Sequence, residues 1–194
     1  MRSSGIVLAA GSSSRMGRPK QLLEVDGRPM LEAVVAQANS SRLDEVLVVL
    51  GANAEEIRTR VELGRARVLI NPRHQTGMAS SLRAGLAALD GQVERAMVIL
   101  GDQPDISARL IDELLDLQHE SGLPAAALSF AGLLHPPVVL RRELWEEVMS
   151  LEGDVGCRAV IRARPELVAS LPVPDRKHPV DVDTPQDYER LVRR

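Results

Sequence analysis

Short aliphatic runs alternating with longer amphipathic stretches constrain what this 194-residue chain can fold into. The runs are Ile6 to Ala10, Val46 to Leu50, Val68 to Ile70, Met97 to Leu100, Ala125 to Leu128 and Pro137 to Leu140. They are rich in branched side chains and lack polar alternation, the pattern of strands buried on both faces. Between them, Leu31, Val34, Val35 and Ala38 fall on one helical face. Leu82, Leu86 and Leu89 do the same, as do Leu110, Leu114 and Leu117. Repeated β–α alternation predicts an α/β, Rossmann-like three-layer fold with a mostly parallel sheet. An antiparallel addition is expected near 125–140, with Ala125 to Ser129 against Pro137 to Leu140 and an Ala131–Gly132 turn between them. Asp154 reads as the N-cap of a helix running through Arg164 and ended by Pro165. Thr184 with Pro185 reads as the start of a terminal helix. No linker-like tract divides the sequence, so one domain over 1–194 is expected.

In such sheets, ligands sit beyond the carboxyl ends of the strands. The first run opens there into Gly11-Ser12-Ser13-Ser14-Arg15-Met16-Gly17-Arg18-Pro19-Lys20. A Gly/Ser loop after a buried strand can turn several backbone N–H groups toward an anion. Arg15, Arg18 and Lys20 add charge that the backbone lacks. Lysine is otherwise found only at Lys177, beside another candidate motif. Walker A is excluded, because five residues separate Gly11 from Gly17 and Arg18-Pro19 follows. The dinucleotide fingerprint is excluded because Ser13 stands at its second glycine. A polyphosphate cradle and a plain strand-to-helix turn both fit the local pattern, and the clustered cations favour the cradle.

Two further groups lie at strand ends. Asp102, in Gly101-Asp102-Gln103-Pro104, follows the fourth run. It suits a Mg²⁺ ligand, or an Asx turn before a helix capped by Asp105 or Ser107. Asp181 and Asp183 alternate with Val182 and share one face if that segment is extended. Asp183 is read as a metal ligand or as a capping residue. Asn71-Pro72-Arg73-His74-Gln75-Thr76-Gly77-Met78-Ala79-Ser80-Ser81 follows the third run. It reads as a substrate-binding loop or as a loop with Ser80 or Ser81 capping the next helix.

Composition removes several classes. A net charge of −3 with 2% aromatic residues argues against nucleic-acid binding. A lone Cys157 leaves no internal disulfide or cysteine zinc site, and it reads as a packing residue. No stretch reads as a signal peptide or membrane span, so a cytoplasmic protein without membrane partners is expected. His74, His119, His135 and His178 are not at metal-ligand spacing, and no hydrolase triad pattern is present. His119 reads as a solvated helix-end residue, while His135 and His178 each precede proline and are candidates to line the site.

Taken in order, these motifs resemble the nucleotidyltransferases, and most narrowly the molybdenum cofactor cytidylyltransferase family. The resemblance covers almost the whole chain. It rests on Leu8-Ala9-Ala10-Gly11 with Ser14-Arg15-Met16-Gly17 and Lys20, Asn71-Pro72 with Gly77-Met78 and Ser80-Ser81-Leu82, and Gly101-Asp102-Gln103-Pro104. It also rests on Gly153-Asp154-Val155-Gly156 with Arg158, and Asp181-Val182-Asp183-Thr184-Pro185.

The resemblance implies roles. Leu8, Ala9, Ala10, Gly11, Ser12, Ser13, Ser14, Arg15, Lys20, Asn71, Gly77, Ser80, Ser81 and Gly101 would bind the nucleotide. Arg15, Lys20 and Asp102 would be catalytic, and Asp102 and Asp183 would hold Mg²⁺. His135 and Asp181 would lie on the acceptor side. Ala10, where guanylyl-transferring relatives commonly carry glycine, implies a pyrimidine, with CTP ahead of other nucleoside triphosphates. The implied acceptor is molybdenum-molybdopterin or a similar phosphate monoester, and a molybdoenzyme or its chaperone is a further expected partner. Relatives often carry Gly-His-Pro where this chain has Leu134-His135-Pro136-Pro137. A GTP-dependent or sugar-phosphate transferase and a non-catalytic nucleotide- or pterin-binding chaperone are the competing readings.

Overall fold

The computed structural model describes residues 1–174 and 181–193. In chain order the strands and helices begin with β1 (Ser3–Ala9), β2 (Glu24–Val25), β3 (Arg28–Pro29), α1 (Met30–Ser40), β4 (Glu45–Leu50) and α2 (Ala54–Arg60). They continue with β5 (Arg67–Ile70), α3 (Met78–Ala87), β6 (Arg95–Leu100), α4 (Ala108–Ser121), β7 (Ala125–Phe130) and β8 (Leu133–Arg141). The last are α5 (Trp145–Met149), α6 (Cys157–Ala163), β9 (Val168–Pro172) and α7 (Pro185–Val192). Seven strands form one sheet in the order β5-β4-β1-β6-β8-β7-β9. Among the described residues, only β8 of this sheet runs against its neighbours, pairing antiparallel with β6 and β7. The expected α/β class, mostly parallel sheet and antiparallel addition are therefore all present.

The alternation of side chains along each strand builds the three layers. Val7, Val48, Leu50, Met97 and Ile99 pack on one face with α1, α2 and α4 residues such as Leu31, Val35, Ile57 and Leu114. Ile6, Leu47, Val49, Ala96 and Val98 pack on the other with α3, α5 and α6 residues such as Leu82, Leu86, Val148 and Ile161. Cys157 belongs to this second face, where burial pushes its thiol up to about 12, so it is a packing residue and no nucleophile.

Several local expectations are corrected. The Val68 to Ile70 run lies on the sheet edge, and Ile70 is 42% exposed, so it is not buried on both faces. The run nevertheless pairs in register with β4. β9 was not expected; it pairs parallel with β7 beyond the hairpin. Asp154 does not cap the helix that follows it: Gly156 is the N-cap and the helix starts at Cys157. Neither Ser80 nor Ser81 caps α3, whose N-cap is Gly77. Ser107 does cap α4, accepting from Leu110 N at 3.2 Å. Among the described residues, no helix is long and apolar enough to cross a membrane.

Thr184 starts α7 with a reciprocal capping box: Asp187 N donates to Thr184 Oγ1 at 3.2 Å, and Thr184 N donates to Asp187 Oδ2 at 2.9 Å. Thr184→Ala should cost about 1 kcal/mol of stability, read as a lower denaturation midpoint at unchanged slope.

Candidate nucleotide site

A cleft of about 880 Å³ opens at the carboxyl ends of β1, β4 and β6, a size common for ligand sites. Leu8, Ala9, Ala10, Gly11, Ser12, Ser13, Ser14 and Arg15 line one side. The loop after β1 is shaped by local bonds. Ser13 takes a left-handed φ of 55°, Gly17 one of 68°, and Met16 N donates to Ser13 O at 2.9 Å. Lys20 N donates to Ser13 Oγ at 3.0 Å, closing the loop on itself. Sequence reasoning missed Gln21, which is almost fully buried. Its amide donates to Ala9 O at 3.0 Å and Gly11 O at 3.1 Å, so one side chain ties the strand end to the loop. A lone glutamine after Lys20 carries no sequence signal for that role.

Asp102 follows β6 through Gly101, whose N donates to Leu8 O at 2.9 Å. A Cβ at residue 101 would sit 3.0 Å from Leu8 O and 3.1 Å from Ala9 Cβ, which explains the glycine. Asp183 arrives from the far end of the chain. Its carrier is Val182, which is buried with Leu23, Val25 and Met30 and donates its N–H to Asp102 O at 3.1 Å. Tyr188 adds a second tie, donating its hydroxyl to Glu24 O at 2.7 Å. This small cluster makes two carboxylates meet that are 81 positions apart (183 minus 102) in the chain.

The meeting point is Lys20. Its ammonium donates to Asp102 Oδ2 and, at 2.9 Å, to Asp183 Oδ1. Arg15 approaches the other Asp183 oxygen at 3.1 Å. Burial alone would lower the Lys20 pKa, but Asp102 and Asp183 outweigh it and hold the ammonium above its ordinary value. Burial pushes the Asp102 carboxyl up, against the pull of Lys20. Burial also works against ionised Asp183, but Lys20 and Arg15 together keep its carboxyl below the usual range.

Asp181 lines the cleft beside this group, accepting from Gln103 Nε2 at 2.7 Å and lying 4.0 Å from Arg158. The opposite wall comes from Ala52, His74, Gln75, Gly77, Met78, Ser81 and Asp154. Asp154 accepts the Met78 N–H at 3.4 Å, and Ala79 N donates to Gly153 O at 3.1 Å, joining the 74–78 and 153–156 loops.

The remaining expected site residues are placed elsewhere. Asn71 and Ser80 are buried and turned into the protein: Asn71 Nδ2 donates to Ser80 Oγ at 2.9 Å and Ser81 Oγ at 3.0 Å. They brace the loop rather than line the cleft. Arg18 lies over the Tyr188 ring at 5.9 Å, so it leaves the cationic cluster and helps hold α7. His135 lies in β8 with its ring 6.3 Å from that of Phe130, outside the cleft lining. His119 sits exposed near the end of α4. Lys177 and His178 lie outside the described residues.

The donor set fits a hard divalent cation. Two carboxylates converge on one point that already holds a positive charge, and Mg²⁺ and Mn²⁺ take such oxygen ligands together with phosphate oxygens. Among the described residues, no three His, Cys, Asp or Glu side chains gather as a self-sufficient metal cage.

Comparison with known proteins gives a consistent result. Residues 5–168 match the family described as MobA-like NTP transferase domain. Nicotine blue oxidoreductase of Paenarthrobacter nicotinovorans is 34% identical over 97% of this chain and 95% of its own. The crystal structure of a Mycobacterium sp. strain JC1 homologue of Mycobacterium tuberculosis Rv0371c is 33% identical, covering 100% of this chain and 97% of that one, at a TM-score of 0.88. Rv0371c of M. tuberculosis H37Rv, in complex with manganese, is 27% identical over 100% and 99% of the two chains, at a TM-score of 0.85.

Proposed function

The chain belongs to the MobA-like NTP transferase domain family, and from that premise we propose that it moves CMP from CTP onto the phosphate of molybdenum-molybdopterin, releasing pyrophosphate. The observation that carries the reading is the convergence of Asp102 and Asp183 with Lys20 and Arg15 at the mouth of the Gly11–Gly17 loop. The M. tuberculosis relative was solved in complex with manganese, which is consistent with a divalent cation as the ion that Asp102 and Asp183 would take. A pure binding chaperone has no need of such a charge cluster beside the triphosphate.

The chemistry follows from charge. A phosphate monoester has a second pKa of about 6, so the acceptor oxygen is already anionic near neutral pH. It attacks the α-phosphorus; the bond to the bridging oxygen breaks, and pyrophosphate leaves with the electron pair. No general base is required, because the attacking oxygen already carries its charge. The loop amides hold the phosphate chain in line, while Lys20 and Arg15 offset charge on the departing pyrophosphate. Mg²⁺ on Asp102 and Asp183 supplies further positive charge there when bound. Asp181, which accepts from Gln103 beside the same cluster, would face the acceptor. A cytoplasmic location and transfer of the product to a molybdoenzyme or its chaperone complete the proposal.

Ala9 and Ala10 are buried where β1 ends and both line the cleft, where the base of the proposed nucleotide would lie against them. Ala10→Gly should therefore relax selection against GTP, raising the GTP-to-CTP ratio of kcat/KM by about tenfold. An unchanged ratio removes the support for cytidine. The 34% identical relative is named an oxidoreductase, so one other reading is redox chemistry, with a nicotinamide nucleotide in the cleft as the reductant. Ser13 in place of a fingerprint glycine argues against that. Pyrophosphate release, assayed with CTP, GTP, UTP or ATP plus Mg²⁺ and molybdenum-molybdopterin, separates the readings. Release dependent on Mg²⁺ and greatest with CTP supports the proposal. Oxidation of NADH or NADPH without pyrophosphate release would overturn it.

A further inference from the structure

The point at which the two carboxylates meet is taken by a side chain of the protein itself. Lys20 Nζ bonds both Asp102 and Asp183, and Arg15 holds the second Asp183 oxygen. The side chains of Lys20 and Asp102 are only 16% and 15% exposed, so water screens that pair poorly, while Asp183 and Arg15 stay open to solvent. A divalent cation entering alone must expel the ammonium from its two partners. The other carboxylates lining the cleft offer no exchange: Asp181 is taken by Gln103 and Arg158, and Asp154 stands on the opposite wall. Lys20 is also anchored at its backbone, through Ser13 Oγ, so only its side chain is free to swing. A triphosphate changes this balance by bringing oxyanions for Lys20 and Arg15 to bind.

We propose that Lys20 is an internal placeholder for the cation, so that the cleft holds its divalent metal more tightly together with the triphosphate than alone. The inference rests on the reading of Asp102 and Asp183 as cation ligands. It makes the metal–nucleotide complex the species the site is built to accept. By linkage, CTP raises metal affinity by the same factor as the metal raises CTP affinity.

The test measures Mn²⁺ binding to the protein without nucleotide, by loss of the free-ion paramagnetic resonance signal. Wild type, Lys20→Met and the Lys20→Met/Asp102→Asn double variant are compared. Lys20→Met should bind Mn²⁺ about tenfold more tightly than wild type, although its CTP affinity falls, and the double variant should lose that gain. Equal or weaker Mn²⁺ binding by Lys20→Met overturns the placeholder. CTP affinity of wild type, measured with and without Mn²⁺, tests the underlying reading separately. A rise with Mn²⁺ that Asp102→Asn abolishes upholds the carboxylates as cation ligands whatever Lys20→Met does, and no rise, or one that Asp102→Asn leaves unchanged, removes that reading. Lys20→Gln, neutral and polar, carries the same expectations and replaces Lys20→Met if thermal unfolding shows that variant unfolded.

Discussion

Asp102→Asn is expected to lower turnover by a hundredfold or more, on the order of 3 kcal/mol of transition-state stabilisation, with the fold intact. The substitution keeps the shape of the side chain and removes its charge. Lys20 retains Asp183 as a partner at 2.9 Å, so the buried ammonium is not stranded. The backbone carbonyl of residue 102 still accepts from Val182 N, which keeps the C-terminal segment docked. Activity should therefore fall far more than stability. Steady-state kinetics beside a denaturation curve would check this, and normal turnover in the variant would remove Asp102 from the machinery. A fall in stability matching the loss of activity would instead make Asp102 a structural residue.

The largest effect on stability is expected at Gly77. Its φ of +107° is a conformation that L side chains rarely adopt, and an added Cβ would stand 2.2 Å from the carbonyl carbon and oxygen of Gly153. These are backbone atoms, held by the Ala79 N to Gly153 O bond, so nothing can yield cheaply. Strain and overpacking together should make Gly77→Ala cost about 2 to 5 kcal/mol. Gly153→Ala is the control: its φ of +67° is strained, but nothing lies within 4 Å of the new Cβ. That change should cost about 1 to 2 kcal/mol. Urea midpoints at equal slope measure both. Equal costs would mean that the loop contact contributes nothing. Because Gly77 and Met78 line the cleft, the Gly77 variant should also bind nucleotide more weakly than the control.

How far the sequence could be read differs from element to element, for physical reasons. The central strands were legible because Val46 to Leu50 and Met97 to Leu100 are packed on both faces, which leaves no polar residue in the run. β9 was not, since Val168–Pro172 exposes alternate residues and ends at a proline. The start of α6 was misplaced because Asp154, a common capping residue, is engaged instead with Met78 N in the neighbouring loop of the same cleft wall. At the site, the loop residues and Asp102 were legible from their position after strands. That Asp183 comes to Asp102 was implied by the family resemblance but not legible from spacing, because it depends on Val182 and Tyr188 docking against the β2–β3 hairpin. Asn71 and Ser80 show the converse. Their polarity suggested ligand contact, but it satisfies bonds inside the loop.

The central claim is transfer through the α-phosphorus, and following the label is its most direct test. CTP labelled with ³²P at the α position, and separately at the γ position, would be incubated with the protein, Mg²⁺ and molybdenum-molybdopterin. The account predicts that the α label moves to the pterin product and the γ label appears in pyrophosphate. A γ label on the pterin, or intact CTP with both labels in place while the pterin is consumed, would contradict it.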